Sequence, residues 1–364
     1  MKAISRVLFW LLLLPGMASA QEFGPWSEPV NLGPTINSAS DDMHPALSKD
    51  GLSLYFSSNR PDGAGNLDLW VSQRDSVDSP WEPPQNLYML NTQFDDHALN
   101  LTMDGHWLFF YSTRPGGCNG GQRQELWASH RRNKRDDFGW EPPINLGCTL
   151  NAPGADDGGP GYWQDDATGS RYLYFARNYT PADPNGFSIY VSTCTAELKD
   201  CNEQQLWSPP VPVPELNSPG FRNTKTAIRP RDGLELIVTS NRSGTAGGLD
   251  LWVARRASAQ EKWELPINLN LENDDICSVL GIVPCPQVNT TSNDGAAVLS
   301  WDGQTVLLYS NRTGGFGKTD LYMSMRPKLS DDCGDHFDDE GKWPRRARPW
   351  RPAPRPVNSS VREE

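Results

Sequence analysis

Five segments, each just ahead of a predicted strand, carry the side chains of this chain that are best suited to chemistry. Each has two adjacent polar residues, acidic in most copies, and two copies add a histidine. Their members are Asp41, Asp42 and His44; Asp95, Asp96 and His97; Asp156 and Asp157; Arg222, Asn223 and Lys225; and Asn293 and Asp294. Carboxylates gathered from different segments can act as general acid and base, or can bind a hard cation.

These residues allow three interpretations. In the first, Asp and Asn only cap turns through hydrogen bonds from the backbone to their side chains. In the second, the carboxylates, the Asn amides and His44 or His97 form a binding funnel for a polyhydroxyl ligand or for a cation. Ca²⁺ is the cation that such oxygen ligands suit, and no other cofactor is predicted. In the third, one carboxylate is a general acid and another is a base or nucleophile, as in glycoside hydrolysis.

The catalytic interpretation has a definite order of candidates. The acids, in order of preference, are Asp42, Asp96, Asp157 and Asp294. Arg222 or Lys225 would orient the substrate. Crowded carboxylates raise one another's pKa, which would supply an acid near neutral pH. The chain has no Gly-x-Ser-x-Gly, phosphate loop or His-Glu-x-x-His motif, so serine hydrolase, nucleotide and zincin chemistry lack support.

Two repeated phrases define the architecture that must position these residues. Leu54-Tyr-Phe-Ser-Ser-Asn-Arg60 is followed by Asp68-Leu-Trp70, and four further copies begin at Leu108, Leu173, Leu236 and Leu307. A Trp-x-x-Pro phrase opens each unit at Trp26, Trp81, Trp140, Trp207 and Trp263, with spacings of 55, 59, 67 and 56 residues. Such a period suits one propeller blade of four short strands.

Turn chemistry places the strands within each unit. Asp-Gly pairs such as Asp50-Gly51 lie between β-rich runs and predict tight hairpins. Proline cannot donate to a sheet ladder, so the Trp-x-x-Pro phrase is predicted to be the outer strand of the preceding blade. The first phrase would then complete the last blade. The sequence therefore predicts an all-β, five-bladed β-propeller of four-stranded antiparallel blades over residues 21–326, closed by its N-terminal strand. The five polar segments would lie around one mouth of the channel, four of them with carboxylates and one with cations.

The order Asp-Gly, Ser-Asn-Arg, Gly-Gly and Asp-Leu-Trp resembles the WD-like repeat of the bacterial periplasmic TolB family and its exported relatives. The resemblance covers about residues 26–326 and rests on five copies. It implies a β-propeller around a central channel in an exported bacterial protein. TolB-type propellers commonly have six blades and a separate N-terminal domain, so their particular partners are not carried over.

The N-terminal segment predicts export. Residues 1–20 combine a basic start, a short apolar run and a small-residue cleavage site, which is typical of a signal peptide. No later stretch is apolar enough to span a membrane, so a periplasmic or secreted protein is expected. The formal net charge of −12 argues against a nucleic-acid partner, because affinity for phosphates depends on Lys and Arg.

Seven cysteines in an exported chain permit disulfides. The pairs that sequence proximity and the repeat allow are Cys118 with Cys148, Cys194 with Cys201, and Cys277 with Cys285. Cys333 is left over.

The remaining segment, residues 327–364, is acidic and then rich in Pro and Arg, which predicts a disordered tail. The leading hypothesis for function is an exported, non-catalytic binding or scaffold module that holds a protein or carbohydrate ligand at the channel mouth. The alternative is a carbohydrate-active enzyme, a hydrolase or lyase, that uses the same ring of carboxylates. A third possibility is an interaction platform that uses the outer face and the tail.

Overall fold

The structure, a computed structural model, describes residues 22–121, 123–180, 182–183 and 185–329. The predicted signal peptide, Cys333 and all but the first three residues of the predicted tail lie outside these ranges.

The described chain forms five four-stranded antiparallel sheets, as predicted. The strands are β1 (Val30–Asn31), β2 (Asp42–Leu47), β3 (Ser53–Ser58), β4 (Asp68–Gln73), β5 (Gln85–Asn86), β6 (Asp96–Leu101), β7 (Trp107–Ser112), β8 (Glu125–His130), β9 (Ile144–Asn145), β10 (Asp156–Gln164), β11 (Arg171–Asn178), β12 (Ser188–Cys194), β13 (Val211–Pro212), β14 (Asn223–Ile228), β15 (Glu235–Ser240), β16 (Asp250–Arg255), β17 (Ile267–Asn268), β18 (Asp294–Leu299), β19 (Thr305–Ser310) and β20 (Asp320–Met325). Blades 1 to 4 are β2–β5, β6–β9, β10–β13 and β14–β17, and blade 5 is β18–β20 with β1.

The N-terminal strand closes the ring, which confirms the predicted phasing. Val30 pairs with Met323 and Asn31 with Tyr322, so β1 is the outer strand of blade 5. The pairing extends beyond the predicted end of the propeller, because the Gly24 amide donates to the Pro327 carbonyl at 2.9 Å.

Apolar side chains form five clusters, one between each pair of adjacent blades. Strand β3 explains why: Leu54 and Phe56 pack toward blade 5, whereas Tyr55 packs toward blade 2. Both faces of such a strand are buried, and its sequence is therefore continuously apolar rather than alternating.

The Trp-x-x-Pro tryptophans are held by arginines that follow the third strand of a blade. Arg131 lies 4.5 Å from the Trp140 ring centroid, and its Nε donates to the Gly105 carbonyl at 2.7 Å. The arginine thereby ties an outer tryptophan to the hairpin glycine of an inner turn. The same arrangement occurs for Arg74 with Trp81, Arg256 with Trp263, and Arg326 with Trp26.

The described ranges contain a few helices, which the all-β prediction did not include. The helices are α1 (Gly147–Leu150), α2 (Leu198–Glu203) and α3 (Leu269–Leu280), with a 3₁₀ turn at Pro214–Leu216. Asn268 caps the start of α3 by accepting from the Asn270 amide, and Gly281 ends it at φ 70°. Asn273 of this helix binds both backbone groups of Trp26, so α3 anchors the segment that closes the ring.

The three predicted disulfides are all formed, joining Cys118 to Cys148, Cys194 to Cys201, and Cys277 to Cys285. This fits an oxidising compartment. None of the helices in the described ranges is long and apolar enough to cross a membrane.

Each innermost strand contains a β-bulge near the channel. The register shifts in β2, β6, β10, β14 and β18. At the bulge, His44 has φ 52° and Ala98 has φ 56°, both in the left-handed region that non-glycine residues seldom adopt. A bulge redirects a side chain out of the alternating pattern of a strand. The bulges therefore decide which side chains enter the channel.

Candidate functional site at the channel mouth

The second acid of each predicted pair lies inside its blade. The Asp96 carboxylate is fully buried and accepts from Arg114 Nη2 at 2.5 Å and from both the amide and the hydroxyl of Thr92 at 2.7 Å. The other members of this set, which we call the clip aspartates, are Asp42, Asp157 and Asp294, each with its own arginine. Burial raises the pKa of Asp157 to about 6, although its arginine opposes the shift.

These four were the preferred catalytic candidates. Their catalytic role stays a prediction, and their contacts favour the turn-capping interpretation instead, because the carboxylate oxygens are occupied and away from solvent. In blade 4, Asn223 takes the place of the acid and accepts from Arg242 Nη2 at 3.0 Å.

A second family of acids, of which Asp68 is one, caps the Gly-rich turns. Asp68 accepts from the Gly65 amide at 3.1 Å and also from the Ala64 amide. Equivalent positions in the repeats suggest a charged pair between Arg60 and Asp68, but Arg60 pairs with Asp42.

The first residue of each predicted pair lies at the mouth of the channel and is half-buried. Asp41 accepts from Asn59 Nδ2 at 3.3 Å, Asp95 from Asn66 Nδ2 at 3.1 Å, and Asp156 from the Gln124 amide at 3.1 Å. Within the described ranges none of the three carboxylates forms a salt bridge. These three, the mouth carboxylates, thus have oxygen atoms left for a ligand. The same position is Arg222 in blade 4 and Asn293 in blade 5.

Four aromatic rings line the channel below the mouth carboxylates. The His97 and Tyr111 ring centroids are 3.9 Å apart, His44 and His97 5.3 Å, and His44 and Tyr309 5.6 Å. Nδ1 of both histidines is buried without a hydrogen-bond partner. The rings therefore form a continuous arc from blade 5 through blade 1 to blade 2.

Glycine makes room for this arc. A Cβ atom on Gly158 would lie 2.8 Å from Tyr111 Cδ1, and one on Gly295 would lie 2.8 Å from the Tyr309 hydroxyl. Tyr111 and Tyr309 were missed by sequence reasoning. They could have been found because they depart from the repeat. Blades 1, 3 and 4 carry Ser57, Ala176 and Thr239 at the equivalent strand position.

Lys225 reaches from blade 4 to the blade 2 end of the arc, next to His97. Its Nζ donates to the Leu99 carbonyl at 2.5 Å and the Pro160 carbonyl at 3.2 Å, on the innermost strands of blades 2 and 3. Burial lowers the pKa of Lys225 to about 7. Burial, assisted by the Lys225 charge, lowers the pKa of His97 to about 3 and that of His44 well below its usual value.

The Tyr111 hydroxyl is buried, and burial raises its pKa. The charges of Asp95 and Asp156 raise this pKa further, and the charge of Arg222 opposes them. Asp95, Asp156 and Arg222 stand at equivalent positions of the successive blades 2, 3 and 4.

A metal site was one of the predicted uses of this ring. No group of three or more His, Cys, Asp or Glu residues with metal-binding spacing is found in the part of the chain that the structure describes. Calcium binding therefore stays a prediction.

A cavity of about 220 Å³ lies at the other end of the channel, away from the mouth carboxylates. It is lined in part by Tyr162, Asp166 and Trp301, and Lys49 Nζ stacks 3.7 Å from the Trp301 ring centroid. No sequence motif indicated this cavity.

Comparison with known proteins identifies similar folds but not a family. No protein-family model matches the chain, and no curated protein matches it either. An α-L-arabinofuranosidase from Lactobacillus brevis is 14% identical, with a TM-score of 0.51 over 82% of this chain and 94% of that one. A thermostable family-43 glycoside hydrolase is 14% identical, with a TM-score of 0.53 over 89% and 98% of the two chains. A family-117 glycoside hydrolase, Zg3597, from the marine bacterium Zobellia galactanivorans is 13% identical, with a TM-score of 0.50 over 89% and 96%.

These findings correct two sequence predictions. The assignment to the TolB-like repeat family is wrong, because the three similar structures named above are glycoside hydrolases. Short phrases such as Asp-Gly and Ser-Asn-Arg correspond to hairpin turns and to buried arginine–carboxylate contacts. Propeller blades of different families can contain both, so these phrases do not define a family. The leading hypothesis of a non-catalytic scaffold is contradicted by the same comparisons, which favour its alternative, a carbohydrate-active enzyme. At these identities the likeness establishes the fold.

Proposed function

We propose that this protein is a glycoside hydrolase whose active site is the channel mouth. The observation that carries the proposal is the set of mouth carboxylates, Asp41, Asp95 and Asp156, which are half-buried, lack a cationic partner and open onto one aromatic-lined channel. Glycoside hydrolysis needs two carboxyl groups on either side of the scissile bond. The clip aspartates cannot serve in this way while their arginines occupy them.

Asp95 and Asp156 are the proposed acid and base pair, because they stand at equivalent positions of the adjacent blades 2 and 3 and both charges act on the buried Tyr111 hydroxyl. Two carboxyl groups on either side of a glycosidic bond can divide the roles of general acid and general base. Asp41 is the third carboxylate, placed to orient a sugar hydroxyl or the attacking water.

Tyr111, Tyr309 and the two histidines would receive the sugar ring. Aromatic side chains offer an apolar face with a polar edge, which suits a pyranose or furanose ring. The similar structures include an α-L-arabinofuranosidase, so arabinosides belong in any substrate screen. The three disulfides fit action outside the cytoplasm, on an extracellular glycan.

The test is hydrolysis of a panel of 4-nitrophenyl glycosides and plant or algal polysaccharides by the full chain. Asp95→Asn and Asp156→Asn should each lower kcat by about 10²- to 10⁴-fold, the usual loss when a general acid or base is removed. Asp302→Asn, an exposed acid at the opposite end of the channel, is the matched control and should retain activity. Full activity in both mouth variants would reject the proposed site, and no hydrolysis of any glycan would reject the enzyme.

A further inference from the structure

Arg222 breaks the pattern of the channel mouth. The backbone at this position is held alike in different blades: the Asp41 amide donates to Asn59 Oδ1 at 2.8 Å, and the Arg222 amide donates to Asn241 Oδ1 at 2.6 Å. The Arg222 side chain therefore starts from the place where blades 1 to 3 present a carboxylate. One cation thus lies among three acids at the mouth.

The Arg222 guanidinium lacks the hydrogen-bond partners that a neighbouring arginine has. Arg242, in the same blade, donates to the Leu216 carbonyl at 2.6 Å and to Asn223. Arg222 Nε is buried and has no hydrogen-bond partner, and no carboxylate in the described ranges lies within salt-bridge distance of this residue. The guanidinium carbon lies 5.5 Å from the Phe187 ring centroid, so the side chain is supported by an aromatic face. The half-buried Arg222 side chain thus has a buried Nε donor with no partner and no carboxylate beside it, which leaves its guanidinium available to a ligand.

The groups behind Arg222 also have no carboxylate partner. Lys225 is bound only to backbone carbonyls, and His97, 8% exposed, has a buried Nδ1 with no partner. His44 Nδ1 is likewise buried without a hydrogen-bond partner. The His44 and His97 ring centroids are 5.3 Å apart, and Lys225 Nζ donates to the carbonyls of Ala98 and Leu99, which follow His97. Lys225 and the two histidines therefore lie around one space, and the charges of Lys225 and Arg222 help to lower the pKa of His44.

We propose that this space is a subsite for a carboxylate, and that the sugar bound at the mouth is a uronic acid whose carboxylate is held by Arg222. This inference rests on the proposed function for the sugar part of the ligand. The planar guanidinium fork matches a planar carboxylate with two parallel hydrogen bonds. The mouth carboxylates on blades 1 to 3 repel the same group, so the uronic acid is oriented with its carboxylate toward blade 4 and its glycosidic bond toward Asp95 and Asp156.

Calorimetric titration of the full chain with glucuronate and galacturonate, each compared with glucose and galactose, tests the subsite without catalysis. The uronates should bind, and Arg222→Met should weaken that binding by roughly 10- to 100-fold, the loss expected for a charged hydrogen-bond partner. Arg222→Lys should restore part of it. Lys318→Met removes an exposed cation from a loop on the same face and should leave binding unchanged. Circular dichroism of each variant verifies folding, and Arg222→Gln replaces Arg222→Met if the latter does not fold.

A parallel assay compares 4-nitrophenyl uronides with their neutral counterparts. Uronate binding that depends on Arg222, without hydrolysis of any substrate, would support the subsite and reject the proposed enzyme. Hydrolysis of neutral glycosides with no binding of uronates would reject the subsite and leave the enzyme standing. Binding of inorganic sulfate but not of uronates would overturn the assignment to a carboxylate.

Discussion

Arg177 donates from Nε to the Asp157 carboxylate at 2.6 Å, although it stands two residues earlier in its blade than the corresponding arginines. Asp157 is the direct strand partner of Arg177, whereas the partner of Asp96 is Ser112 and Arg114 follows two residues later. Both arginines also donate to the carbonyl of a leucine ahead of the innermost strand. Blade 3 therefore builds the same clip from a different sequence position, which indicates that the guanidinium and carboxylate contact is required by the blade geometry.

The clip can be tested by comparing two arginines with different partners. Arg114→Met would leave the fully buried Asp96 carboxylate unpaired, with an expected loss of about 3–5 kcal/mol in the free energy of unfolding. Arg242→Met would leave only the neutral Asn223 amide, with an expected loss of about 1–3 kcal/mol. Urea unfolding of both variants measures the difference.

The double variant Arg114→Met with Asp96→Asn serves as the control, because it removes the unpaired charge. It should recover part of the stability lost in Arg114→Met. Equal losses in Arg114→Met and Arg242→Met would show that the charge is unimportant and that the clip is held by the carbonyl contacts alone.

The blades, their closure and the disulfides could be predicted because each depends on local signals. A period of 55 to 67 residues, Asp-Gly hairpins and an outer strand with proline define the ring without knowledge of any long-range contact. Disulfides such as Cys194–Cys201 close short loops, so sequence proximity was enough to find them.

The direction of side chains at the mouth could not be predicted. Asp41 and Asp42 are neighbours, and a shift of one residue in a strand exchanges its two faces. The sequence therefore identified both residues but favoured Asp42, which is buried against Arg60, over Asp41, which faces the mouth. The bulges in the innermost strands, such as the one at His44, also redirect side chains, and no local sequence motif predicts a bulge.

Ring closure depends on an asparagine side chain that hydrogen-bonds both backbone groups of a strand residue, as a neighbouring strand would. Asn37 accepts from the Leu321 amide at 2.8 Å, and its Nδ2 donates to the Leu321 carbonyl at 3.0 Å. Asn37→Asp keeps the shape but turns the donor into an acceptor that faces a carbonyl, with an expected loss of about 1–3 kcal/mol or more because the group is buried. Asn91→Asp, which makes the same change within blade 1, is the matched comparison.

Hydrogen exchange separates the two asparagine variants. Asn37→Asp should speed exchange of the Ser27 and Leu32 amides, which donate to the last blade, whereas Asn91→Asp should not. Unaltered protection of these amides in Asn37→Asp would show that the closing strand does not depend on this side chain.

The disulfides should contribute according to the loops they close. Cys118 and Cys148 are 30 residues apart, and loop entropy predicts a stabilisation of about 4 kcal/mol. Cys194 and Cys201 are 7 residues apart, which predicts about 2.5 kcal/mol. Unfolding of the two Ser/Ser double variants tests this order. A larger loss for the shorter loop would mean that local packing, not loop entropy, sets the effect.

The buried channel histidine should make stability depend on pH in a defined window. The folded-state pKa of His97 is about 3, below the unfolded value of about 6.5, so the unfolded chain binds the proton first as the pH falls. Stability should therefore decrease between pH 6.5 and 3, by up to about 1.4 kcal/mol per pH unit. His44, Lys225 and Tyr111 face this ring, and burial shifts the pKa of His44 in the same direction.

Urea unfolding at pH 7, 6, 5 and 4 should show a weaker pH dependence in His97→Gln than in the unmodified protein. The opposite contribution of Asp157 is common to both proteins and cancels in the difference. Parallel curves for the two proteins over this range would mean that His97 takes up its proton in the folded channel.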